Sequence, residues 1–82
     1  MSKNSGFANR DRLIELGITI AFARKLRGMS QEQLAEKAGI SRSHLSAIEA
    51  PNLVRSFSVD ILFSIADALN VKASDLLENR IR

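Results

Sequence analysis

Apolar residues recur at helical spacing along most of the chain, and two short sets of them meet across a single glycine. In the segment SQEQLAEKAGISRSHLSAIE, residues 30–49, Leu34, Ala35 and Ala38 share one helical face, and Leu45 and Ile48 share another. Ser30 opens the first of these helices as a cap, with Gln33 three residues on to complete a capping box. Gly39 stands where the chain must turn sharply, a left-handed position that only glycine adopts without steric cost. Ser41 then caps a helix over Arg42 to Glu49. Ala35 is small where the two helices should cross, which keeps them close and leaves the second one proud of the surface.

The same periodicity predicts three further helices. One runs from about Arg10 to Arg27 and ends at Gly28. Another starts after Ser58 and runs to Leu69, with Leu62, Ile65, Ala66 and Leu69 inward and Asn70 as the left-handed stop. A short helix from Ala73 to about Asn79 is expected to close the core through Leu76 and Leu77. Pro51 makes residues 50–57 a loop, because it lacks an N–H and disfavours helical geometry at Ala50. The expected organisation is a flexible arm over residues 1–9, one domain over residues 10–79 and a tail over residues 80–82.

The pair meeting at Gly39 reads as a helix-turn-helix. Around it, Leu16, Ile20, Arg24, Gly28, the SQEQLAEKAGIS segment, the pair Ile48-Glu49, the IADALNV run and Asp75-Leu76-Leu77 follow in order. On these residues, from Leu16 to Leu77, the chain resembles the XRE family of phage repressor and Cro proteins. The resemblance implies an all-α fold, a compact five-helix bundle of the phage repressor DNA-binding-domain type whose second and third helices form the helix-turn-helix.

Length and charge fit that picture. With 82 residues there is room for one domain, which buries only about 60% of its unfolded surface. No cysteine is present, and the single His44 cannot hold a metal alone. No apolar run approaches the roughly 20 residues of a membrane span, and the first residues lack the apolar stretch of a signal peptide. The expectation is a soluble cytoplasmic, nucleoid-associated protein without cofactor, metal or evident small-molecule effector. The net charge of +3 is uneven: residues 1–57 carry nine Lys and Arg against five acids, residues 58–82 three against four. The basic part holds the helix-turn-helix, as expected of a face turned to double-stranded DNA.

A major groove admits one helix, and the N-terminal end and exposed face of that helix reach base edges. Here those residues are Arg42, Ser43, Ser46 and Ala47. Arg42 has the planar fork that pairs with guanine, against the alternative of a phosphate contact or a solvated charge; Ala47 offers only a methyl to thymine. For Ser46 the reading set against base contact, and preferred to it, is a side chain that faces solvent. His44 beside them either donates to a phosphate or has no role. The N-terminus of the first of the two helices favours an anion, and the resemblance implies that Gln31 there holds backbone phosphate. It implies the same for Asn52 and Arg55 in the following loop, although the family usually continues Ile48-Glu49 with a polar residue and glycine, where this chain has Ala50-Pro51. Lys3, Arg10 and Arg12 are further arm candidates. Arg24 and Glu49 correspond to a buried structural salt bridge of the family.

The first predicted helix departs from the family. Leu16, Ile20 and Ala23 make the core stripe, while Ile14, Ile18, Phe22 and Leu26 make a second one at four-residue spacing. A helix apolar on two faces is buried on two faces. Either Phe7 of the arm or the C-terminal tail covers it, or it is a homodimer interface with Ile18, Phe22, Leu26 and Phe63, and Ile61 beside it, as candidates. A dimer would place two recognition helices about 34 Å apart on a pseudo-palindromic site.

No nucleophile, base and orienting acid recur at usable spacing, and no glycine loop cradles a phosphate, so an enzyme is not expected. The alternative to a transcriptional regulator is a protein-interaction module, such as an antitoxin that binds a toxin through the second stripe.

Overall fold

Three serine caps and three left-handed stops divide the chain into helices, and a fourth left-handed residue, Asn79, follows the last of them. The computed structural model describes residues 9–81 and contains α1 (Arg10–Leu26), α2 (Gln31–Ala38), α3 (Arg42–Glu49), α4 (Val59–Leu69) and α5 (Ala73–Leu77). The hydroxyls of Ser30, Ser41 and Ser58 accept from the backbone N–H groups of Gln33, His44 and Ile61, each satisfying a donor that the first turn leaves free. At Ser30 the capping box is complete, since Gln33 Oε1 accepts from the Ser30 N–H at 2.8 Å.

The stops share one construction. Gly28, Gly39 and Asn70 have φ of 71°, 75° and 59°, and the residue after each returns its N–H to a carbonyl of the last turn: Met29 to Arg24, Ile40 to Ala35, Val71 to Ala66. Met29, Ile40 and Val71 also pack against the core, so each stop anchors the chain apolarly before it leaves for the next helix.

Ile20, Ala23, Leu34, Ala35, Ala38, Leu45, Ile48, Leu62, Ile65, Ala66, Leu69 and Leu76 form one buried core. α1 lies against α3 and α5, while α4 lies against α2 and α5. Arg27 Nε donates to the Leu69 carbonyl at 2.9 Å, tying the end of α1 to the end of α4. The all-α five-helix architecture is therefore as expected. Three local expectations are corrected. α1 ends at Leu26 with Arg27 as its cap, and α5 ends at Leu77, two residues before Asn79. Leu77 does not close the core: it is 62% exposed while Leu76 is 1% exposed, because a helix of little more than one turn points only one of two adjacent leucines inward.

The arm candidates Lys3 and Phe7 lie outside the described residues. Asn79 does meet α1, since its carboxamide oxygen lies 3.0 Å from the Thr19 hydroxyl.

Candidate nucleic-acid interface

α3 is short and strongly two-sided. Leu45, Ile48 and Glu49 are buried, whereas Arg42, Ser43 and Ser46 are exposed and Ala47 and His44 are partly buried. The exposed face thus carries three of the four residues expected to read bases, with the arginine at the N-terminal end and Ala47 partly buried.

Beside that end lies a polar hollow of about 400 Å³ lined by Ser41, Ser43, His44 and Arg55. The loop after α3 therefore returns Arg55 to the N-terminus of the helix despite the Ala50-Pro51 departure. Ala50 leaves α3 in an extended conformation, φ −70° and ψ 121°, which Pro51 requires of its predecessor. A cationic side chain, hydroxyls and the positive end of a helix dipole converge here, which is chemistry for an anionic oxygen. Asn52 is exposed in the same loop but does not line the hollow.

Behind the face sits a charged network. Arg24 Nε donates to Glu49 Oε2 at 2.9 Å and Arg24 Nη2 to Glu49 Oε1 at 3.0 Å, a bidentate pair with both side chains largely buried. Arg24 Nη1 donates to the Met29 carbonyl at 2.8 Å, so the pair binds α1 to the turn before α2 as well as to α3. Gln31 Nε2 donates to Glu49 Oε1 at 2.9 Å. The Gln31 carboxamide therefore spends one N–H on Glu49, and its other N–H is what it has left to donate to a phosphate.

Gly17 was not singled out by the sequence pattern. A Cβ built on it would lie 2.1 Å from the Ile48 carbonyl oxygen, so α1 and α3 approach backbone to side-chain-free backbone at this point. The signal was present: glycine inside a helix costs about 1 kcal/mol relative to alanine, a cost that marks a close approach.

Of the interface candidates, Ile18, Phe22 and Leu26 are 49%, 50% and 49% exposed on α1, and Phe63 is 54% exposed on α4. Ile18 and Phe22 form a ridge between two grooves, one lined by Glu15, Thr19 and Asn79, the other by Ala21, Lys25, Glu49 and Pro51. Phe63 and Leu26 line neither groove, and Ile61 packs against the core. Among the described residues no cluster of three His, Cys, Asp or Glu side chains could hold a metal, and no helix is long and apolar enough to cross a membrane.

The helix-turn-helix family model matches residues 20–76. The chain is 38% identical over 65 residues to the HTH-type transcriptional regulator SinR of Bacillus subtilis, a match covering 79% of this chain and 58% of that protein, so the chain spans little more than half of this curated relative's length. It is similar in structure to SinR, the master regulator for biofilm formation, in complex with DNA: TM-score 0.70, 40% identity, 76% of this chain and 97% of that one. It is also similar to the restriction-modification controller protein C.AhdI of Aeromonas hydrophila, with a TM-score of 0.75 and 29% identity over 80% of this chain and 97% of that one. On this match over residues 20–76 and this identity, the chain belongs to the XRE-type helix-turn-helix family.

Proposed function

We propose that this domain is a sequence-specific, double-stranded DNA-binding transcriptional regulator that acts as a cytoplasmic homodimer on a pseudo-palindromic operator. The observation that carries this reading is the face of α3: Arg42, Ser43 and Ser46 exposed, with Arg55 and His44 gathered at the helix N-terminus. α3 enters the major groove, Arg42 pairs with a guanine edge, and Ala47 meets a thymine methyl. Arg55, His44 and the remaining N–H of the Gln31 carboxamide hold phosphates, with Asn52 further along the loop. The regulator names of the relatives, and the DNA-bound structure of one of them, support this reading. Regulation is steric, through a bound dimer that occludes or recruits polymerase, and needs neither catalysis nor a cofactor.

Selection from a random duplex library at about 150 mM salt tests it, since exposed charges are then screened within roughly 8 Å. An inverted repeat is the expected product. Binding without enrichment would set the DNA reading aside in favour of a protein-interaction module.

Two substitutions should separate reading from gripping. Arg42→Ala is expected to weaken binding to the selected operator roughly 5- to 150-fold for each half-site and to relax preference at one base pair of each. Arg55→Ala should weaken binding to all sequences alike and lower the slope of log affinity against log salt by about one unit per head. Titrations of both variants at several salt concentrations measure the two effects.

A further inference from the structure

Histidine is the side chain whose ordinary charge change falls between pH 5 and 8, and this chain has one, His44. It lines the polar hollow at the start of α3 together with Ser41, Ser43 and Arg55. Resting on the reading of α3 as the DNA-binding helix, we propose that His44 makes the grip on DNA pH-dependent. It takes up a proton as a backbone phosphate enters the hollow, so the domain holds duplex more tightly below neutrality than above it.

The hollow gathers positive charge without an acid to balance it. Arg55 reaches it from the loop, Arg42 stands two residues before His44 on α3, and the first-turn N–H groups of α3 end there. No carboxylate lines it, and among the described residues neither His44 nor Arg55 has an acid within ion-pair distance. The one acid of α3, Glu49, is buried against Arg24 at the other end of the helix. A proton on His44 in the free protein therefore has cations beside it and nothing to compensate it. A phosphate oxygen in the hollow supplies the missing negative charge, and an opposite charge close by favours the charged form. The coupling is reciprocal: whatever phosphate does for the proton, the proton does for phosphate.

The other members of the hollow act alike at every pH. Ser41 Oγ accepts from the His44 backbone N–H at 3.0 Å and lies 3.3 Å from Ser43 Oγ. The two hydroxyls share one hydrogen between them, which leaves the second to donate to an oxyanion. Arg55 stays charged throughout. His44 is thus the one lining residue whose contribution varies, and its sign is fixed: the added affinity is present where His44 is charged in the complex and is lost as rising pH removes that charge.

Fluorescence anisotropy of a labelled random-sequence duplex, at constant salt and at about pH 6 and about pH 8, tests this, since the grip on phosphates is independent of sequence. The wild type is expected to bind roughly 5- to 20-fold more tightly per head at the lower pH. His44→Gln should bind equally at both, and His44→Lys, whose charge is fixed over this range, should bind at both as tightly as the wild type does at the lower pH. Circular dichroism confirms that each variant is folded. Calorimetric titration in two buffers of different ionisation enthalpy should show proton uptake on binding near neutrality by the wild type and none by His44→Gln. Equal wild-type affinity at the two pH values overturns the proposal, and so does a His44→Gln variant that keeps the wild-type pH dependence. A protein that binds no duplex at either pH overturns the DNA reading and this inference with it, whereas salt-sensitive binding that ignores pH overturns this inference alone.

Discussion

Glu49→Ala should lower the melting temperature by at least about 12 °C and leave much of the protein unfolded at 37 °C. Arg24 is 9% exposed and its guanidinium donates twice to Glu49, so removing the carboxylate strands a buried charge. Breaking one side of a buried pair costs about 3–5 kcal/mol, against a total stability of roughly 4–12 kcal/mol for a domain of 82 residues. Each kcal/mol shifts the melting temperature of such a domain by roughly 4–8 °C. Glu49 also accepts from Gln31, so the variant frees the carboxamide at the start of α2 while it loosens α3. Glu49→Gln keeps the volume and one acceptor oxygen and should lose less. Thermal melts followed by circular dichroism check both, and an unchanged midpoint for Glu49→Ala would remove the structural role of the pair.

Gly17→Ala should destabilise the domain, against the usual direction of that change in a helix. Alanine is ordinarily better than glycine in a helix interior by about 1 kcal/mol. Here the added Cβ would sit 2.1 Å from the Ile48 carbonyl oxygen, and the obstacle is backbone, which cannot rotate aside. α1 and α3 must separate, and overpacking of this kind typically costs 1–3 kcal/mol. The expected net loss, the overpacking cost less the gain in helix propensity, is about 1 kcal/mol, or roughly 4–8 °C in melting temperature. Because Ile48 belongs to α3, the displacement also tilts the Arg42 face, and operator affinity should fall by more than non-specific affinity. A melt and a pair of binding titrations, on operator and on unrelated duplex, measure the two consequences. A variant as stable as the wild type would mean that the helices pass with room to spare.

The residues expected to build the helices did so because their signals are local. Ser30, Ser41 and Ser58 each cap a backbone N–H three residues away, and Gly28, Gly39 and Asn70 each end a helix by their own φ. The inward rows Leu34–Ala35–Ala38 and Leu62–Ile65–Ala66–Leu69 follow from helical periodicity alone. Arg24 and Glu49 are legible as a pair only through family resemblance, since nothing local joins residues 25 positions apart.

What the chain determined by itself is therefore the order of its helices, the caps and stops of α2, α3 and α4, and the inner faces of those three, together with Arg42, Ser43 and Ser46 on the exposed face of α3. These depend on interactions spanning four or five positions, which a linear pattern contains. The tertiary structure alone decided that Gly17 meets the Ile48 carbonyl, that Gln31 shares Glu49 with Arg24, and that Arg55 returns to the N-terminus of α3. It also decided that Leu76 and not Leu77 enters the core. Each of these is a distance between separate elements, set by the angles and depths at which helices cross. Those angles come from the packing of all the core side chains together, and no short stretch of sequence carries them.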